Sequence, residues 1–270
     1  MILTVEHVTV YDYDAPMRSS VQSLRLFASR HDGQRVIDWD VSVQGGILGG
    51  AFRDGAGDRI EGWSVRGPME QLRISVRGRV ETNDTAGILR GHRETINPLA
   101  YLRETTLTHD DGTLSSLALR GVKGEEDPLE QAHRLCVLTA EEVEYQAGAT
   151  ETRTTAAEAL AHKKGVCQDQ AHVLITMARS MGIPARYVTG YLFGEGDTAR
   201  EEASHAWAEL HVRNYGWVGF DPANRCCPDA RYIRIGSGLD AQDAAPIRGI
   251  AQGLGEERMN VSVALESVQQ

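Results

Sequence analysis

Three short segments carry residue types that could work together as a nucleophile, a proton carrier and an orienting acid. They are Gly165-Val166-Cys167-Gln168-Asp169, Ser204-His205-Ala206-Trp207-Ala208-Glu209 and Gly219-Phe220-Asp221-Pro222-Ala223-Asn224. A thiol is a poor nucleophile until it ionises, and a neighbouring imidazolium together with the positive end of a helix favours that ionisation. The imidazole in turn needs a third group to fix its tautomer and orientation, a task suited to a carboxylate. Cys167 is therefore the candidate nucleophile for attack on an amide or ester carbonyl, His205 the candidate acid and base, and Asp221 the candidate holder of the ring. Gln168 and Tyr145 are candidates to line a substrate cleft; Trp207 could do the same, or shelter the imidazole and carboxylate from water.

The chemistry requires elements that bring these segments together. Thr155-Ala156-Ala157-Glu158 has the form of a capping box, opening a short helix that runs through Leu160 and is expected to end at Gly165, with Lys163 and Lys164 in its last turn. Ala171, Leu174, Ala178 and Met181 recur at helical spacing after Cys167, and Gly182 and Pro184 stop the run. Cys167 then sits at a helix N-terminus, where free backbone N–H groups could also hold an oxyanion. Asp169 reads as a helix-start carboxylate, and His172, five residues beyond Cys167, as a core residue.

Residues 185–193 and 204–212 read as strands. In the second, Ala206, Ala208, Leu210 and Val212 make one face, and His205, Trp207, Glu209 and His211 the other. Asp221 shares the polar alternation of the strand that follows. Two hairpin registers are open: a turn centred on Arg213 sets His205 opposite Asp221, whereas the turn-like Asn214-Tyr215-Gly216 centres it on Tyr215 and sets Glu209 there instead.

Upstream, alternating runs such as Val36-Ile37-Asp38-Trp39-Asp40-Val41-Ser42-Val43 and the stretch from Leu72 to Val80, broken by Gly45-Gly46 and Asp54-Gly55, predict antiparallel strands. From Asp127-Pro128 onward the spacing of Leu129, Ala132, Leu135 and Leu138 predicts a helix. The expected organisation is a β-rich unit over residues 1–100 and a second unit over 101–270, with the boundary between 81 and 128. A chain of 270 residues with 41% hydrophobic and 24% charged residues has the make-up of a soluble globular protein. A net charge of -10 without a basic stripe argues against nucleic acid or an anionic membrane as partner. The N-terminus lacks the basic and apolar regions of a signal peptide and no apolar run is long enough to span a bilayer, so a cytoplasmic location is expected. Cys136, Cys167, Cys226 and Cys227 contain no CxxC and form neither a disulfide framework nor a zinc pattern, and no metal or cofactor is expected.

Taken together, GVCQD, GIPARYVTGY, HAWAE and GFDPAN resemble the transglutaminase-like superfamily of papain-related folds, and in particular its bacterial group with a β-rich N-terminal domain. The resemblance is close from about Thr155 to Asn224. It implies an α+β fold: a papain/transglutaminase-like core, with a helix-borne cysteine packed on an antiparallel sheet, preceded by the β-rich domain. It implies Cys167 as nucleophile, His205 as base and acid and Asp221 as orienting carboxylate, and it supports the register centred on Arg213. Residues 239–249 resemble a C-terminal signature of the same group, with a last strand near Val261-Ser262-Val263-Ala264-Leu265. Gln170 stands where relatives commonly have an aromatic residue, and Leu239 where they have arginine. The activity implied is acyl transfer on a peptide, protein or small amide through a thioester, hydrolytic as in a protease, amidase or deamidase. Cross-linking of glutamine to an amine is the alternative, and a non-enzymatic peptide-binding module on the same fold is a third reading.

Overall fold

The computed structural model describes residues 1–194 and 204–268. The alternating, β-branched N-terminal stretch forms strands β1 (Ile2–Leu24), β2 (Gln34–Val43), β3 (Gly46–Arg53) and β4 (Arg59–Thr82). β1 and β4 pair antiparallel along almost their whole length, with irregular pairing between Asp12 and Ser19. β2 and β3 lie end to end on the other edge of β4, separated by the turn at Gly45, whose positive φ of 67° suits a residue without Cβ. Tyr11, Leu24, Val41, Leu72 and Ile74 form a core on one face of this sheet.

The chain then becomes helical: α1 (Thr113–Gly121), α2 (Pro128–Glu142), the short strand β5 (Glu144–Tyr145), α3 (Ala156–His162), the short strand β6 (Lys164–Gly165) and α4 (Cys167–Ser180). Asp127 caps α2, accepting from the N–H groups of Leu129 and Glu130, and Pro128 fills the first turn as its spacing predicts. α4 is enclosed: every residue from Asp169 to Arg179 is buried, because α1, α2 and α3 pack around it and a sheet covers its remaining side.

That sheet has the order β10-β7-β8-β9, from β7 (Ala185–Leu192), β8 (Ser204–Val212), β9 (Gly216–Phe220) and β10 (Tyr232–Gly238). Ala206, Ala208, Leu210 and Val212 of β8, with Val218 and Phe220 of β9, form the face against α4, in keeping with the alternation in the sequence. The reverse face is buried as well. Val188, Trp207 and Tyr232 pack together there, while Tyr191, Ile233 and Ile235 pack against Leu3, Val5 and Val80 of the first sheet.

The last two strands are β11 (Ile247–Gln252) and β12 (Glu257–Val268). Both pair antiparallel with β1, so these C-terminal strands join the first sheet. Alternation around Val261 marks a strand but not its partner; Val263 is buried in the cluster that joins the two sheets. A buried ionic ladder reinforces the junction. Arg234 of β10 meets Asp58 of the first unit at 3.1 Å and Glu209 of β8 at 2.9 Å, and Arg186 of β7 meets Glu209 at 2.7 Å. The architecture is α+β.

Candidate active site

Residues before Cys167 position it by backbone hydrogen bonds. The capping box forms: Thr155 Oγ1 accepts from the Glu158 N–H at 3.2 Å, and the Glu158 carboxylate from the Thr155 N–H at 2.9 Å. α3 ends earlier than its glycine suggests. Lys163, with φ 55°, takes the left-handed position, so Lys163 and Lys164 lie beyond the helix and not in its last turn. Gly165 serves a different purpose. A Cβ there would lie 2.7–2.8 Å from the Asp169 side chain, whose Oδ2 folds back to accept from the Val166 N–H at 2.8 Å and the Thr150 hydroxyl at 2.5 Å. Asp169 is thus a buried brace for the start of α4, and burial raises its carboxyl above the usual range despite those two bonds. Cys167 is the first residue of α4 and half-buried; at that position its N–H has no intrahelical acceptor.

The hairpin between β8 and β9 adopts neither expected register. Ala208 faces Phe220, Leu210 faces Val218 and Val212 faces Gly216, so the turn is centred on Asn214, whose φ is 70°. Continuing this register puts Trp207, and not His205 or Glu209, opposite Asp221. His205 and Asp221 keep the same parity and become diagonal neighbours on one face, within side-chain reach. His205 Nε2 lies 2.7 Å from Asp221 Oδ2, and Cys167 is close enough to the same ring to favour its protonation. The three segments therefore converge.

The surroundings of this pair were only partly legible. Asp221 is fully buried, and its Oδ2 also accepts from Tyr232 Oη and Asn224 Nδ2, each at 2.7 Å. The Asn224 N–H reaches Oδ1 at 3.3 Å. Burial would push the Asp221 carboxyl up, but the bonds and charge of His205, with the bonds of Tyr232 and Asn224, hold it below the usual range. Burial likewise opposes protonation of His205, yet the hydrogen bonds and charges of Asp221 and Cys167 prevail and push it up to about 10. Trp207 lies nearly parallel to the imidazole, with ring centroids 6.4 Å apart and planes at 25°.

Trp207 is only 2% exposed and packs against the ring, sheltering it. Gly190 makes that packing possible: it pairs with His205, and a Cβ would lie 2.6 Å from the Trp207 ring. Gln168 is half-exposed beside Cys167, its amide donating to the Thr152 carbonyl at 3.2 Å. Tyr145 is 41% exposed on β5, which pairs with β6 and sets Tyr145 next to Gly165, two residues before Cys167.

Asn224 stood in a quoted motif without a role, and Tyr232 gave no signal, because only the return of β10 beside β7 brings it to the site. His172 is a core residue as its spacing suggests, its Nε2 accepting from the Ala241 N–H at 3.1 Å. Burial raises the thiols of Cys136 and Cys226, and pushes that of Cys227 up to about 11. Among the described residues no group of His, Cys, Asp and Glu could hold a metal ion. No helix among them is long and apolar enough to cross a membrane.

The profile of the transglutaminase-like superfamily matches residues 115–222, and that of the bacterial transglutaminase-like N-terminal region matches residues 3–81. An uncharacterized protein of Mycobacterium leprae is 28% identical over 281 residues, which cover 97% of this chain and 98% of that protein. A Pseudomonas aeruginosa protein named protein-glutamine gamma-glutamyltransferase is 33% identical over 84 residues, 29% of this chain and 12% of that protein. The crystal structure of a Cytophaga hutchinsonii protein, described as a candidate cysteine protease, superposes with a TM-score of 0.76 at 23% identity, over 100% of this chain and 92% of that one. That likeness shows the fold.

Proposed function

We propose that this chain, which belongs to the transglutaminase-like superfamily, is a cysteine-dependent acyl-transfer enzyme that hydrolyses peptide or amide bonds. The observation that carries the reading is a single imidazole held by Asp221 through Nε2 at 2.7 Å with the Cys167 thiol beside it. Pushed up to about 10, His205 is cationic at neutral pH and holds the proton that a departing nitrogen needs.

Attack by the Cys167 sulfur on the carbonyl carbon forms the C–S bond, and the carbonyl oxygen takes up negative charge facing the N–H groups at the start of α4. His205 then gives its proton to the departing nitrogen as the C–N bond breaks, leaving a thioester and a neutral imidazole. In the second half, the imidazole takes a proton from water, whose oxygen attacks the thioester; acid is released, and the sulfur and the imidazolium are restored. Asp221 keeps the ring oriented and stabilises its charge throughout.

Water is the acceptor we assign, because Cys167 and Gln168 are half-exposed and Asn224, beside the imidazole, is exposed, so solvent reaches the ring edge. The sequence likeness to the gamma-glutamyltransferase favours an amine acceptor as the second reading. A non-enzymatic peptide-binding module gains no support from a complete thiol, imidazole and carboxylate set.

Two measurements test this. Iodoacetamide at neutral pH is expected to modify Cys167 ahead of Cys136, Cys226 and Cys227, and His205→Ala to remove that preference. Equal labelling of all four thiols in native protein would contradict the reading. Mass spectrometry of peptide-library products with and without an added primary amine then separates hydrolysis, deamidation and cross-linking.

A further inference from the structure

We propose that Tyr232 is a positioning residue for the Asp221–His205 pair, setting how tightly the imidazole keeps the proton it must hand to the leaving nitrogen; the proposal rests on the acyl-transfer reading above. Three donors crowd one oxygen. His205 Nε2, Asn224 Nδ2 and Tyr232 Oη each lie 2.7 Å from Asp221 Oδ2, whereas Oδ1 receives only the 3.3 Å bond from the Asn224 N–H. A carboxylate oxygen has about two lone-pair sites, so three short donors compete and each weakens the others' share.

The phenol is aimed by packing. Tyr232 is 5% exposed and enters on β10, edge-on to Trp207 at 5.5 Å and to His205 at 6.0 Å between ring centroids. Phenylalanine would fill the same aromatic space, so the hydroxyl is not needed for packing. Its oxygen also meets the Cys226 sulfur at 3.4 Å; a thiol donating there would strengthen the phenol as a donor to Asp221.

The titratable and charged groups around the pair come from four other places. Cys167 lies on α4, Cys136 on α2, and Cys226 and Cys227 follow β9. Asp229 and Arg231, just before β10, are bonded to each other at 2.7 Å, so that arginine's charge is largely spent outside the site. The balance on Asp221 Oδ2 is thus struck mainly between imidazole, amide and phenol.

Without the phenol O–H, more of the carboxylate's charge falls on the imidazolium, which then holds its proton harder. The alkaline limb of the kcat/KM profile moves up, and proton donation to a poor leaving group slows. The test compares an acyl anilide, whose nitrogen must be protonated to leave, with a p-nitrophenyl ester of the same acyl group, whose phenolate leaves without a proton. Tyr232→Phe is expected to raise the alkaline limb by about half a pH unit and to lower kcat/KM about threefold on the anilide with little change on the ester. Cys226→Ala is expected to move the limb in the same direction by less. Superimposable pH profiles, or equal losses on both substrates, would overturn the proposal. Should Tyr232→Phe fail to fold, Cys226→Ala decides: an upward shift supports the role and an unmoved limb refutes it. Wild type that alkylates its four cysteines alike defeats the acyl-transfer reading and this proposal with it, whereas selective Cys167 labelling with an unmoved Tyr232→Phe profile defeats this proposal alone.

Discussion

β8 carries two buried partnerships between a carboxylate and a cationic group, four residues apart on one face. Glu209 is gripped by Arg186 at 2.7 Å and Arg234 at 2.9 Å. Arg186 also pairs with Glu94 and lies over the Trp217 ring at 4.0 Å, and Arg234 reaches Asp58 at 3.1 Å. His205, at the other end of the strand, meets Asp221, whose remaining side-chain partners are an amide and a phenol. Burial would raise both carboxyls, and both are held low. The difference lies in the donors. Guanidinium groups do not surrender protons near neutral pH, so the Glu209 cluster is a fixed strut between two sheets. An imidazole does exchange its proton, and it lies beside a half-exposed thiol, so nearly the same carboxylate geometry can serve chemistry.

Substitution should separate the two clusters sharply. The largest effect is expected at the thiol and the ring: Cys167→Ala and His205→Ala should each lower kcat by about 10³-fold or more, measured on an activated amide, because members of such a set act as a unit. Asp221→Asn should cost about 10²- to 10⁴-fold in kcat and lower Tm less than Glu209→Gln does, since the imidazole can give up its proton. Glu209→Gln should do the reverse. It leaves two buried guanidinium groups without their shared partner, and denaturant unfolding should show a loss of about 3–5 kcal/mol, while the folded fraction still alkylates first at Cys167. If Glu209→Gln stays fully stable, or erases that preference, the contrast between strut and reactive pair fails.

pH should act on the molecule from two sides. Burial pushes His7, His31 and His172 down to about 4, so the unfolded chain binds their protons first and stability should decline as pH falls from about 6.5 toward 4. The depressed carboxyls Glu209 and Asp221 add to the loss below about 4.3. His205 runs the other way: its contribution is complete below 6.5 and disappears as pH rises to about 10. Urea titrations at a series of pH values check both slopes, and His172→Gln should flatten part of the acid one. The smallest effect is expected at Asn224, which covers the solvent side of the imidazole–carboxylate bond; Asn224→Ala should lower kcat/KM about two- to fivefold.

Local signals were the legible part of this chain. The capping box at Thr155, Pro128 after Asp127, and the helical spacing beyond Cys167 each depend on neighbours within a turn or two, and each element forms. The convergence of Cys167, His205 and Asp221 was foreshadowed by residue types and strand parity, although the hairpin register was not. Parity survives a change of turn centre that keeps the two residues on one face, and the left-handed Asn214 fixes the centre between the two expected positions. Long-range pairing left no trace in local pattern. Nothing in Val261–Leu265 says that its strand returns to β1, and nothing around Tyr232 says that its hydroxyl ends on Asp221. The ladder was likewise invisible, since Arg186, Glu209 and Arg234 lie on strands where alternation predicts only a polar face.

The central claim is that an acyl group is carried on the Cys167 sulfur, and intact-protein mass spectrometry after rapid mixing with an activated acyl ester tests it most directly. The expected result is a transient increase equal to one acyl group, mapped by peptide digestion to Cys167, absent in Cys167→Ala and discharged by water over time. Turnover without any covalent adduct, or an adduct carried instead by Cys226 or Cys227, would contradict the account.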